Sequence, residues 1–318
     1  MAFRNSLPAL VLALSVPAHA WAALVINPTF GSGVTAQAQA AFAVAAHEFE
    51  ALFTDNITIN IQVDTNTSGL GGSDTQIQFV PGGYNQVRSS LLADNTAHPS
   101  AAGTASVSAG GSVATTIDPT GGGAWFVSTA QAKALGLRSA NDPASDGTFI
   151  YNVNQNFAFD PNNRSVPGAY DFIGVAEHEI SEIMGRIPGL GTSFCQSCGT
   201  DYMLYDLFRY TAFDTRGLTP GNGIYFSIDN GTTNLRGYNF PNGNGSDPQD
   251  WNSSLPSDPF NAYGSPGQAT AFSFPDVVAL DAIGYNYVPE PASTLLLGGG
   301  ILGLLLGRRR TATQRPEA

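Results

Sequence analysis

Gly174-Val-Ala-Glu-His-Glu-Ile-Ser-Glu-Ile-Met-Gly-Arg186 lies just past the middle of a 318-residue chain, and its spacing predicts a helix over 171–185. Successive helix residues turn by about 100°, so His178 and Glu182, four apart, project from one face one turn apart. An imidazole nitrogen and a carboxylate oxygen placed that way converge on one ion, and both are ligands that zinc accepts. Glu179 sits one step round the helix, near the ion without binding it, where a carboxylate takes a proton from an activated water. Ile180, Ile183 and Met184 bury the opposite face. The competing reading makes Glu177, Glu179 and Glu182 the solvated face of a surface helix, with His178 a lone polar neighbour.

The string His178-Glu179-Ile180-Ser181-Glu182 resembles the zincin motif His-Glu-x-x-His with one substitution. The run HEISEIMGR, followed some twenty residues on by DLFRY, resembles a family of PEP-CTERM-bearing metalloproteases. That resemblance extends over Lys133-Ala-Leu-Gly-Leu137, Tyr225-Phe-Ser-Ile-Asp229, Asp250-Trp251 and Leu280-Asp-Ala-Ile-Gly-Tyr285. It implies a zincin-like fold and zinc-dependent peptide hydrolysis. The chain departs from the zincin pattern in lacking the second His, and Pro188 stands where a metzincin would place its third. At least one ligand must therefore come from elsewhere, and a carboxylate is expected: Asp206, with Asp201 and Asp214 as alternatives. One His with two carboxylates selects zinc less sharply than three His, which leaves manganese and calcium open. Tyr202, Tyr205 or Tyr210 is a candidate donor to a developing oxyanion. His47-Glu48 has Ala51 at its fourth position, so no second ligand follows it, and His98 lies in a polar loop before Pro99.

Around this helix the pattern is α+β. Residues 34–53 are Ala-rich, free of Gly and Pro and apolar at helical spacing. Ile57, Ile59, Ile61 and Val63 alternate with polar residues as a half-buried strand. A polar loop with Gly69, Gly71 and Gly72 follows, and then a helix over 84–97. Residues 100–123 read as a flexible excursion or weak hairpin. Trp125–Val127 returns to the core, 129–137 is a short helix, and 149–159 alternates as a strand. After the central helix, Gly, Asn and Asp dominate until a last short helix over 274–284.

The termini carry an address. Residues 1–22 combine an early Arg4, an apolar stretch and small-x-small sites, the signature of a secretory signal peptide. Val288-Pro-Glu-Pro291 precedes sixteen mostly apolar residues and then Arg308–Arg310. The order resembles the PEP-CTERM sorting signal, also labelled an ice-binding protein C-terminal domain. It implies a short single-span anchor over 288–312, held in the inner membrane until an exosortase-type enzyme processes it. The expected domains are thus 1–22, 23–287 and 288–312.

The composition agrees with an exported, loop-rich body. Only 12% of residues are charged, and Gly and Pro supply 36 and 20 of the 318. Net charge is -12. Setting aside Arg4, Arg308, Arg309, Arg310, Arg315, Glu290 and Glu317 leaves 8 basic against 23 acidic residues, which disfavours nucleic-acid partners. Cys195 and Cys198 lack the second pair that a zinc ribbon needs, so in an exported protein a small disulfide is expected. Asp229, Asp247 and Asp250 lie among glycines and asparagines, a composition that suits either a structural calcium or a merely soluble loop. Taken together, the expectation is an exported metallopeptidase acting on protein or peptide substrates. The rivals are a catalytically silent zincin-shaped matrix protein and an ice- or polysaccharide-binding surface protein.

Overall fold

The Ala-rich stretch expected to be helical is flanked by two strands, and together they build the first structural unit. In the computed structural model, which describes residues 23–219, 221–240 and 247–287, β1 (Val25–Phe30) leads into α1 (Ala36–Leu52) and back into β2 (Thr58–Asn66). The Thr35 side chain caps α1 by accepting from the Ala38 amide. β1 and β2 are parallel, as a helical crossover requires. In β2, Ile59, Ile61 and Val63 point into the core, as the alternation demands.

The next segment departs from expectation. The Gly-rich stretch read as a polar loop forms β3 (Gly71–Thr75), and β4 (Ile77–Phe79) follows directly. α2 (Gly83–Ala97) is as expected, whereas the supposed excursion holds a seven-residue helix, α3 (Ala101–Val107), capped by Ser100. Small residues hide such a helix from any hydrophobic pattern. β5 (Ala124–Ser128) is wholly buried and runs into α4 (Thr129–Ala134). The strand expected over 149–159 is broken into β6 (Gly147–Asn152) and β7 (Phe157–Ala158), because Asn152 to Gln155 make a turn. β8 (Tyr170–Asp171) pairs with β7 and opens α5 (Phe172–Ile183), the predicted central helix.

Beyond α5 come β9 (Asp201–Met203), a single 3-10 turn over Leu204–Phe208, and a small antiparallel sheet. That sheet is made by β10 (Arg209–Ala212), β11 (Thr215–Arg216), β12 (Tyr225–Phe226) and β13 (Arg236–Gly237). α6 (Phe274–Ala282) closes the body, with Pro275 in its first turn.

The main sheet has the order β1-β2-β6-β3, parallel except for its edge strand β3, which runs antiparallel to β6. A second sheet, β4-β5-β9, stands beside it. Mixed sheets with helices therefore describe the protein better than a segregated α+β layout. α5 packs on α1 and on β3. Phe42 of α1 stacks on Phe149 of β6 at 5.8 Å, and Phe149 meets Phe172 of α5 edge-on at 5.8 Å, so aromatic contacts tie both helices to the sheet. Gly71 permits the close approach of β3 to α5: a Cβ there would lie 2.6 Å from Val175 Cγ1 and 3.1 Å from Glu179 Oε1. The proposed signal peptide and sorting segment lie outside the described residues; among those described, no helix is long and apolar enough to cross a membrane.

Candidate metal centre

α5 places His178 and Glu182 as its periodicity requires, with Nε2 3.3 Å from Glu182 Oε1. The third group is Asp250, whose Oδ1 lies 3.4 Å from the same Nε2. One ligand atom from each of the three lies within 4.8 Å of the others, and among the described residues no other His, Cys, Asp and Glu side chains gather in this way. Asp250 arrives on a segment nailed down by its neighbour: Trp251 is fully buried, and its indole N–H donates to Asp276 Oδ1 at 2.6 Å.

The imidazole is oriented from behind. Nδ1 lies 2.7 Å from the Pro259 carbonyl, which can only accept, so Nδ1 carries the proton and Nε2 faces the two carboxylates. In a neutral ring that puts a lone pair against two anionic oxygens. A cation between them, or a second proton on the ring, must relieve the repulsion. The separations of 3.3 and 3.4 Å exceed the ~2.7–2.9 Å of a charge-assisted hydrogen bond. They match the ~3.3 Å edge of a tetrahedron with bonds of about 2.0–2.1 Å, the zinc–nitrogen and zinc–oxygen range.

The carboxylates are held by donors on their outer sides. Glu182 Oε2 accepts from Ser73 Oγ of β3 at 2.7 Å and Oε1 from Gln249 Nε2 at 2.8 Å. Asp250 Oδ1 accepts from Arg186 Nη1 at 2.8 Å. Burial raises the proton affinity of Glu182, but the hydrogen bond and charge of His178, with Arg186 and Ser73, outweigh it and bring the pKa down to about 2. Burial lowers that of His178, yet the Asp250 charge beside it prevails and lifts the ring to about 10. Glu179, 7% exposed, is raised well above the ordinary carboxylate range by burial and then by the Glu182 charge. Glu177, Glu179 and Glu182 are all buried, which disposes of the solvated-face reading. Glu177 answers instead to Arg164, 3.3 Å away.

A cavity of about 290 Å³ opens onto the group, with His178, Glu179 and Asp250 in its wall together with Gly71 of β3 and the rings of Tyr170 and Tyr263.

Several expected residues lie elsewhere. Asp206 is fully buried, and its Oδ2 accepts from the Gly189 and Met203 amides at 2.8 and 2.9 Å. It closes the 3-10 turn after β9, is raised by burial to about 6, and is not among the converging side chains. The carboxylate that stands beside His178 and Glu182 is that of Asp250, not the expected Asp206. Asp201 accepts from the Cys195 amide, and Asp214, at φ 54°, accepts from Asn230. Tyr202 stacks on Trp125, Tyr205 is buried, and the Tyr210 hydroxyl donates to Asn230; none of the three lines the cavity. Cys195 and Cys198 are joined in a disulfide in the loop after α5. His47 and His98 sit at the surface beside Glu50 and Asp94.

The acids considered for calcium do not assemble. Asp229 caps its own turn through Ser227 and Thr233, Asp250 belongs to the His178 group, and Asp247 lines the cavity. The sequence singles out Asp250 only for a structural calcium and within the family resemblance, not as a partner of His178, and it assigns no role to Ser73, Gln249, Pro259 and Arg186.

Residues 288–310 match the family model of the PEP-CTERM protein-sorting motif. No curated protein and no solved structure matches the chain. The motif is the one that an exosortase-type enzyme recognises, and the protein is exported, processed and anchored at the cell surface.

Proposed function

We propose that the protein is an exported metal-dependent peptidase, with a divalent ion held by His178, Glu182 and Asp250. The observation that carries this reading is the His178 ring: it is fixed by the Pro259 carbonyl and presents Nε2 to two carboxylate oxygens at coordination-edge distances. Charge supports it too. Glu182 and Asp250 share one guanidinium, and Asp247 lines the same cavity, so the pocket is a negative one that favours a cation. The imidazole donor favours zinc over calcium, which prefers oxygen ligands throughout.

When bound, the ion would polarise a carbonyl and acidify a water, which is Lewis-acid chemistry suited to hydrolysis. Glu179 is the group that takes and returns the proton: it lines the cavity beside His178, and its burial raises its proton affinity above that of an ordinary carboxylate. β3 offers the substrate a place. It is the outer strand of the main sheet, and its Gly71 borders the cavity, so an extended peptide could add to that edge through backbone hydrogen bonds. Tyr170 and Tyr263 form an aromatic wall for a side chain.

The test is elemental analysis of the purified protein together with cleavage of an unfolded protein substrate. One zinc per chain, lost in His178→Ala, and chelator-sensitive cleavage are expected. Glu179→Gln should keep the ion while cutting turnover by roughly 10²–10⁴. Ion retained with no cleavage in the wild type would leave a silent scaffold.

A further inference from the structure

The guanidinium of Arg186 stands beside all three residues of the centre and bonds one of them, Asp250, directly. Gly185, at φ 110°, turns the chain at the end of α5, and the Arg186 side chain folds back along the helix. Its Nε donates to Ser181 Oγ at 2.7 Å, and that hydroxyl donates to the His178 carbonyl at 2.6 Å. Nη1 donates to Asp250 Oδ1 at 2.8 Å, and Nη2 stands 3.6 Å from Glu182 Oε1 and 3.5 Å from the His178 carbonyl. The guanidinium carbon lies 4.4 Å from the centre of the Phe260 ring, next to the residue that fixes the imidazole. Arg186 is 0% exposed. Such a cation, fixed and unable to lose its proton, bonds to the very oxygen that faces His178 Nε2.

We propose that Arg186 is a positioning residue with two opposed effects on the centre. It keeps the carboxylates of Asp250 and Glu182 paired and converged when the ion is removed, and by its charge it weakens the ion's grip, so that the metal is held exchangeably. This rests on the metal-centre reading given above. Each metal-facing oxygen has one lone pair engaged from outside, Asp250 Oδ1 by Arg186 and Glu182 Oε1 by Gln249. One lone pair on each is left for the ion. Without the guanidinium, the two buried carboxylates of the metal-free chain would have only the His178 ring beside them, at a cost to stability that Arg186 lowers. The same positive charge, in a water-poor setting, repels a dication a few ångströms away. Ser73 and Gln249 hold Glu182 independently of Arg186, and buried Trp251, bonded to Asp276, fixes the backbone that carries Asp250. Loss of the charge should therefore tighten binding on balance.

A purely structural arginine makes the opposite forecast: its removal loosens the site and weakens binding along with stability. The experiment is zinc titration of chelator-stripped full-length protein against a competing chromophoric chelator, with thermal midpoints recorded with and without zinc. Arg186→Met should lower the metal-free midpoint and bind zinc at least tenfold more tightly than wild type. Arg186→Lys, which keeps the charge, should stay within about threefold of wild type. Should Arg186→Met fail to fold, Arg186→Gln, which keeps a donor toward Asp250 without the charge, takes its place and should likewise bind zinc more tightly than wild type. Equal or weaker binding in either comparison overturns the inference while zinc uptake by the wild type still stands. Wild type that takes up no stoichiometric zinc overturns the metal centre itself, and the role of Arg186 with it.

Discussion

At the scale of single residues, Asp206 and Asp250 are both buried aspartates after α5, and their partners assign them different work. Asp206 satisfies two backbone amides, whereas Asp250 faces His178 and Arg186. Asp206→Ala should therefore cost about 2–4 kcal/mol of stability, from two orphaned amides and a cavity, and leave zinc stoichiometry unchanged. Asp250→Ala should abolish stoichiometric zinc. Denaturant melts and elemental analysis of the two variants separate these outcomes, and zinc loss in Asp206→Ala would reverse the assignment. The sequence could not make this distinction. His178, Glu179 and Glu182 were legible because a helix converts spacing into geometry. The third member of the group, Asp250, lies 68 positions beyond Glu182, and only the folded chain brings it back. Asp206 is nearer along the chain, but nearness in sequence carries no information about distance in space.

Among elements, legibility followed periodicity. α1, α2, α5 and α6 announce themselves by apolar spacing, and β2 by alternation. β3 carries no such pattern: Gly-Gly-Ser-Asp-Thr is an edge strand half-buried except at the exposed Asp74, and its residues are chosen for what lies against them. Gly71 is small because Val175 and Glu179 stand where a side chain would go, and Ser73 is polar because it bonds Glu182. The rule that hides the strand also makes it testable. Gly71→Ala must push β3 away from α5 or displace Val175, at a cost of about 1–3 kcal/mol. Because Glu179 Oε1 is the second group in its way, peptide cleavage should fall well beyond the stability loss, while zinc remains bound through His178, Glu182 and Asp250. Activity unchanged under conditions where the variant is folded would argue that β3 does not set the position of Glu179.

For the molecule as a whole, acidity is the governing feature, and much of it is buried. The described body ends at Tyr287, next to the sorting motif, and that end is fastened by Asp55: its Oδ2 accepts from the Asn286 amide and its Oδ1 from the Asn286 side chain, both at 2.8 Å. Burial lifts Asp55 from an ordinary 3.8 to about 7, with the Asp94 charge adding to the rise. Burial does the same for Asp276, also to about 7, beside Asp258. A carboxyl whose folded pKa is raised binds a proton that the unfolded chain has already released. Its contribution to stability is complete below about pH 4 and is lost as pH climbs through 7. In the stripped protein His178 acts in the same direction, its contribution fading between its ordinary 6.5 and about 10. Glu182, held down to about 2, opposes this trend only below its ordinary 4.5. Between pH 5 and 8 these shifts all have one sign. The thermal midpoint of the chelated protein should fall across that interval, with Asp55 and Asp276 each worth about 2 kcal/mol. The formal charge of -12 adds self-repulsion in the same sense as the carboxyls ionise. A midpoint that rose from pH 5 to 8 would mean that Asp55 and Asp276 are ionised at little cost, and so that the seams they close, at the chain's anchored end and under Trp251, are open to water.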